Sequence, residues 1–279
     1  MDLHENLKGK TVVITGGSGI LCREFAYAYA KQGMNVAVLG RTLSKLEEVR
    51  DKINELGGNG LAVVCDVVDK DSVINAKKVV NDTFGKVDIL VNGAGGNHPK
   101  GTTTKEYFEK GDIENPDVVS FFDLSKENFN YVFDLNIVGT LIPTQVFIVD
   151  MLDNPGANVL NIASMSSYHA ITKVSAYCAA KAAISNFTEW LAVHFAKSGI
   201  RVNALAPGWF ETVQNKTLLR NPDGSLSERS KKVLAPMGRF GVPEDLTGTL
   251  LWLTDSAQSG FVTGATIPVD GGFQAYFGV

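Results

Sequence analysis

The sequence predicts an α/β fold, a doubly wound parallel sheet of about seven strands with helices on both faces. Three observations carry this reading. Short apolar, often β-branched runs alternate with stretches of helical period through the first third of the chain. The first of these runs ends in a glycine-rich turn. The alternation then resumes in the second half of the 279 residues. Strand–helix–strand order with short connections calls for parallel strands joined by right-handed crossovers.

Thr11-Val12-Val13-Ile14 reads as a strand buried on both faces. From Gly19 to Lys31, the positions Phe25, Ala26, Tyr29 and Ala30 recur at helical spacing, and Gly33 supplies the stop. Asn35 to Leu39 is a second strand and Leu43 to Leu56 a second helix. Leu61 to Val64, Ser72 to Phe84 and Val87 to Val91 continue as strand, helix and strand. Later come Val159 to Ile162, a helix from about Ser175 to Ala196, Arg201 to Leu205, and a last strand over Thr266 to Val269. Two stretches break the rhythm. Asn97 to Phe122 is long and weakly periodic, and Trp209 to Pro236 carries the turn signal Asn221-Pro222-Asp223-Gly224. Connections of this length in a compact domain are functional lids or disordered segments.

Composition excludes several classes. Apolar residues make up 44% and charged residues 20%, an ordinary globular balance rather than that of a disordered chain. Lys and Arg number 26 against 30 Asp and Glu, a net charge of −4, with no block of like charge. Neither nucleic acid nor an anionic membrane is the expected partner. Cys22, Cys65 and Cys178 are scattered and odd in number, which argues against a disulfide framework and a zinc site. His4, His169 and His194 share no metal-ligand spacing, so no metal is assigned. The polar start lacks a signal-peptide core. The longest apolar stretch, Ile137 to Val149, is interrupted and falls short of the about 20 residues a bilayer span needs. A soluble, cytoplasmic protein is expected.

The first strand runs into Thr15-Gly16-Gly17-Ser18-Gly19-Ile20-Leu21-Cys22. Glycines at a strand-to-helix turn let the backbone approach a pyrophosphate, and the following helix aims its N–H groups and dipole at the anion. This places a dinucleotide at Gly16, Ser18, Gly19, Ile20 and Leu21 and makes the fold Rossmann-type. At the end of the second strand, where a carboxylate would accept from the ribose hydroxyls, stand Gly40 and Arg41. Arginine pairs with a phosphate in bidentate fashion, so the sequence favours NADP(H) over NAD(H), unless Arg41 is simply a solvated helix-start residue. Asp66, followed by Val67, either accepts from an adenine amino group or caps the next helix. Asn92-Gly93-Ala94-Gly95-Gly96 forms a second glycine turn at a strand end, placing Asn92, Ala94 and Gly95 beside the cofactor. The expected organisation is a single dinucleotide-binding catalytic domain over 1–279, with an insertion loop at 97–122 and a substrate-loop region at 209–236.

Tyr177 and Lys181 stand four apart on a helix, on one face and about 6 Å apart along its axis. A cation there favours phenolate, whose use near neutral pH requires the phenol to fall by roughly three units from about 10. Ser164 follows a strand and could donate to a substrate carbonyl. Asn136, polar within an apolar helix, is either a satisfied core amide or the holder of a water linking Lys181 to solvent.

Together these pieces resemble the short-chain dehydrogenase/reductase family over nearly the whole chain. The resemblance rests on Thr15-Gly16-x-x-Gly19, Asp66, Asn92-x-Ala94-Gly95, Asn136, Ser164, Tyr177-x-x-x-Lys181 and Pro207-Gly208 with Thr212. Pro243-Glu244-Asp245 and Val262-Thr263-Gly264 through Val269-Asp270-Gly271-Gly272 extend it. It implies a relay of Asn136, Ser164, Tyr177 and Lys181 and hydride exchange at nicotinamide C4. In it Ser164 orients the substrate oxygen, Tyr177 is general acid or base, and Lys181 lowers the tyrosine pKa and contacts the nicotinamide ribose. Pro207, Gly208 and Thr212 fall at the nicotinamide end. Two positions depart from the family pattern: Cys22 in the last small place of the glycine turn, and Gly93 where a second asparagine is usual.

Closer still is the resemblance to sugar-acid members. It lies in Gly95-Gly96-Asn97-His98-Pro99, Leu218 to Leu226, and Ala235 through Gly241. It implies a secondary alcohol/ketone pair such as D-mannonate and D-fructuronate. Asn97, His98 and Lys100, then Lys216 or Arg220, could supply donors and a cation, with Trp209 beside the reaction centre; each could equally be solvated or packed. The family also implies a homotetramer, with helices from about Leu124 and Ser175 between subunits. Reduction of another ketone, acyl, steroid or sugar, and a non-catalytic nucleotide-binding regulator are the rival readings.

Overall fold

A computed structural model describes residues 4–212 and 219–276. Their strands are β1 (Thr11–Thr15), β2 (Asn35–Gly40), β3 (Asn59–Val64), β4 (Ile89–Asn92), β5 (Asn158–Ile162), β6 (Arg201–Pro207) and β7 (Thr266–Val269). All pair in parallel in one sheet, ordered β3-β2-β1-β4-β5-β6-β7. The expected class and strand number hold. The order reverses between β1 and β4, and ligands of such sheets bind at that switch, beyond the strand C-termini.

Strand residues alternate between two cores, as the period of two requires. Val12, Ile14, Val36 and Val38 meet Phe25 and Tyr29 of α1 (Ile20–Ala30), Leu46 of α2 (Leu43–Glu55), and Leu250 near the C-terminus. Val13, Ala37, Leu90 and Val159 face the other way. There they meet Val73 and Val80 of α3 (Lys70–Phe84), with Phe147, Met151 and Leu191. Both faces are therefore covered, which is why β1 buries all five of its residues.

After β4 the chain enters the insertion, which contains short 3-10 turns at Pro99–Gly101 and Phe121–Asp123. The next helix begins at Ser125, whose Oγ accepts from Asn128 N. It runs through α4 (Lys126–Phe133), one π-turn (Asp134–Val138) and α5 (Gly139–Met151). By length and composition Lys126–Met151 could cross a bilayer, yet half of its most apolar part is packed inside the protein. The second-half helix is α6 (Ser175–Phe195). The 209–236 region holds α7 (Glu228–Val233) and the expected turn, in which Gly224 N donates to Asn221 O at 2.9 Å.

Candidate active site

A cleft of about 550 Å³ opens at the switch between β1 and β4. At its centre the first glycine turn joins β1 to α1. Gly16 has φ +64°, and a Cβ there would come within 2.9 Å of Ala94 Cα, so the two glycine turns touch backbone to backbone. Thr15 ties them, its Oγ1 accepting from Gly93 N at 3.0 Å and Ala94 N at 3.1 Å. Gly19 caps α1 with no side-chain bond to the helix start, so the first N–H groups of α1 are not taken up by a capping side chain.

The two departures from the family pattern explain one another. A Cβ at Gly93 would overlap Cys22 Sγ, and that thiol reaches Gly93 O at 3.7 Å. The larger side chain at 22 is accommodated because 93 has none. Burial pushes the Cys22 thiol up to about 12, so it stays protonated and acts as packing.

One end of the cleft is basic: Gly40, Arg41, Thr42 and Lys45 line it, with Ser18 close by. Lys45 was missed from sequence, although it stands only four residues after Arg41, in the first turn of α2. Asp66 and Val67 line the same side. Helix capping falls instead to Asp69, whose Oδ1 accepts from Asp71 N and Ser72 N. Asp66 Oδ1 accepts from Val68 N.

The other end gathers Ser164, Tyr177, Lys181, Pro207, Gly208 and Thr212. Ser164 sits just past β5, its Oγ accepting from Ser166 N at 3.2 Å, and its hydroxyl is near enough to Tyr177 to pull the phenol's pKa downward. Ser167 pins this loop to α6 by donating to Lys181 O at 2.7 Å. The Lys181 ammonium lies 5.7 Å from the centre of the Tyr177 ring and donates to Ile162 O at 2.7 Å. Burial lowers the Lys181 pKa to about 8. The expected depression of the phenol is not found in the protein alone. Burial pushes Tyr177 upward, and the Ser164 hydroxyl only partly opposes it. Desolvation is the largest influence on the phenol, and the neighbouring Cys178 thiol adds to it.

Asn136 is fully buried in the π-turn and lies behind the cleft wall. Its Nδ2 donates to Gly96 O and Val132 O, at 2.8 and 2.7 Å, and its Oδ1 accepts from Gly96 N. A Cβ at Gly95 would stand 2.7 Å from Asn136 Oδ1 and 3.1 Å from Lys181 Nζ, so both groups crowd the same side of that glycine.

Several expected site residues do not line the cleft. Asn92 turns away from the cleft into the core, where Nδ2 donates to Thr144 Oγ1 and Asn161 Oδ1, because β4 is sandwiched between β1 and β5. Its neighbour Gly93 lines the cleft instead. Asn97 points to Thr102 Oγ1 at 2.8 Å, and His98 packs its ring against Tyr131 at 4.9 Å; neither lines the cleft. Trp209 lines a second cavity of about 200 Å³ with Phe210, Met237 and Arg239. Lys100 is exposed in the turn after His98. Arg220 holds Glu211 through two bonds of 2.8 and 2.7 Å, so its charge is already matched. Lys216 and Leu218 lie outside the described residues. Among the described residues no three His, Cys, Asp or Glu side chains group as metal ligands would.

The cleft fits a dinucleotide. Its middle is backbone without side chains, against an uncapped helix start, and its basic end and its tyrosine–lysine end flank that middle.

Known proteins agree. A Bacillus subtilis protein named uncharacterized oxidoreductase UxuB is 53% identical over 99% of both chains. The 2-dehydro-3-deoxy-D-gluconate 5-dehydrogenase of Dickeya dadantii is 33% identical over 97% of both. A crystal structure with bound NAD, of a candidate D-mannonate oxidoreductase from Haemophilus influenza, is 46% identical. It covers 99% of both chains at a TM-score of 0.94. The model of the short chain dehydrogenase family matches residues 10–223, and with this sheet order and this cleft the chain belongs to the short-chain dehydrogenase/reductase family of nicotinamide-dependent oxidoreductases.

Proposed function

We propose that the chain interconverts a secondary alcohol and a ketone on a sugar acid, with D-mannonate and D-fructuronate as the leading pair. The observation that carries the reaction type is the convergence of Ser164, Tyr177 and Lys181 at one end of the cleft. Support for the substrate comes from the descriptions of the Haemophilus structure and the Dickeya enzyme. A bound nicotinamide supplies the hydride acceptor or donor. Tyr177 moves the proton on the substrate oxygen, and Ser164 orients that oxygen. Lys181 and Asn136 hold the proton path behind the phenol. Since burial raises the phenol, the cation of an oxidised cofactor is the charge that would bring it into working range.

Tyr177→Phe should lose turnover by at least about a hundredfold while NADH still binds, read by absorbance with D-mannonate and by NADH fluorescence. Turnover within a few-fold of wild type in that variant would sink the reading. A panel of hexonates and ketones separates the sugar acid from the acyl, steroid and sugar alternatives. Cofactor bound tightly with no turnover of any member would favour the regulator.

Arg41 and Lys45, with no carboxylate at Gly40, support use of NADP(H); the NAD in the Haemophilus structure supports NAD(H). The Arg41→Ala variant should raise KM for NADP about tenfold and leave KM for NAD nearly unchanged. Equal changes in both would remove Arg41 from phosphate recognition. The family also supports a homotetramer closed through the outer faces of α5 and α6.

A further inference from the structure

Thr140 lies one turn after Asn136, at the start of α5 where the π-turn ends. Its Oγ1 donates to Asn136 O at 2.8 Å. One turn on, Thr144 Oγ1 donates to Thr140 O at 2.7 Å. Thr144 Oγ1 in turn accepts from Asn92 Nδ2, at 2.9 Å, and the same nitrogen donates to Asn161 Oδ1 at 2.9 Å. Asn161 Nδ2 then donates to Thr188 Oγ1, which donates to Ile184 O in α6. The chain is continuous from the Asn136 carbonyl, across β4 and β5, to α6 one turn past Lys181. Every side chain along it is at most 2% exposed.

Buried threonine hydroxyls that donate to the carbonyl one turn back are common, and one alone means little. This one acts on a special carbonyl. A π-turn breaks the regular ladder, so the backbone around Asn136 relies on other bonds to hold one geometry. Asn136 is also the residue whose side chain clamps both backbone groups of Gly96 beside Gly95 and Lys181.

We propose that Thr140 is a positioning residue for the reaction: its hydroxyl fixes the π-turn by donating to the Asn136 carbonyl, while its own main-chain carbonyl, accepting from Thr144, ties the same stretch through Asn92 and Asn161 to the sheet carrying Ser164. This rests on the reading of Tyr177, Ser164, Lys181 and Asn136 given under Proposed function. Thr140 touches neither substrate nor cofactor. It acts by holding Asn136 where Gly96 and Lys181 require it.

The test compares Thr140→Val, Thr140→Ser and a control, Thr254→Val, in the full-length protein. Thr254 is equally buried and makes the same kind of bond, to Leu250 O at 2.9 Å, away from the cleft. In Thr140→Val the Gly96 amide should exchange with solvent about tenfold faster. In the same variant kcat should fall about tenfold with little change in the cofactor KM, and its pH profile should shift. Thr140→Ser should restore all three. Thr254→Val should lower Tm comparably and move none of them. Unchanged Gly96 exchange and kcat in Thr140→Val would overturn the proposal, as would equal losses in the Thr254→Val control. An active Tyr177→Phe variant would instead overturn the catalytic reading, whatever Thr140 does.

Discussion

Lys181 carries two demands that conflict. It must be buried to reach Ile162 O and the back of the Tyr177 ring, and burial disfavours its charge. Its pKa is lowered to about 8 from an ordinary 10.5. Between those values the folded protein binds fewer protons than the unfolded chain, so this residue makes stability rise with pH across about 8 to 10.5. Below about 8 the full penalty is present. Tyr177, whose phenol is pushed up, works in the opposite sense above pH 10, so the comparison must be between variants. Lys181→Met should flatten the rise in Tm between pH 8 and 10.5 relative to wild type, measured by thermal unfolding of the cofactor-free protein. Parallel curves would mean that the ammonium is not desolvated as described. The same residue explains why spacing alone misjudged the phenol. Four residues of separation correctly placed both groups on one face, but spacing does not report how much water each has lost.

At the scale of elements, the glycine turn is where sequence was most informative. Thr15 through Leu21 could be placed between a strand and a helix because β-branched runs and helical periodicity are local signals, and the turn joins two of them. Gly16→Ala should test it sharply. The substitution puts a side chain at φ +64° and 2.9 Å from Ala94 Cα, a backbone strain of about 1–2 kcal/mol before any clash. Tm should fall by several degrees, and the Kd for NADH should rise at least tenfold by fluorescence titration. A normal Kd would show that the two glycine turns can separate without harm to the cleft. Long-range features were less legible. Asn92 reads as a cofactor residue because it adjoins Ala94 and Gly95, and only the β1-β4-β5 order shows that its side chain faces Thr144 and Asn161. Asn97, His98 and Trp209 lie outside the cleft lining for a like reason: proximity in sequence to Gly96 or Gly208 does not fix direction in a loop. Lys45 and Thr15 were readable in principle, the first from its spacing of four after Arg41, the second from its hydroxyl at the strand end.

For the whole molecule, α6 links the site to the outer surface. Tyr177 and Lys181 occupy its first turns, and further along it exposes Trp190 and Val193, at 56% and 79%. Phe187, Trp190 and His194 stack along this face, with ring centres 6.2 and 4.6 Å apart. On the neighbouring face α5 exposes Val149, at 56%. Apolar groups of this size in water carry an unfavourable free energy that association removes, at roughly 25 cal/mol per Å². The proposed homotetramer would cover them and brace the helix that holds Tyr177 and Lys181, the proposed reacting pair. A double substitution, Trp190→Glu with Val193→Glu, leaves the protomer core untouched because both side chains point outward. It places charge where association would strip water. Light scattering should give four chain masses for the wild type and a smaller assembly for the variant, with similar protomer secondary structure by circular dichroism. If bracing matters, kcat should fall in step with the lost mass and recover at protein concentrations that restore assembly. A wild type that runs at one chain mass at micromolar concentration would rule out the tetramer. A dissociated variant with full kcat would show that α6 holds Tyr177 and Lys181 in place unaided.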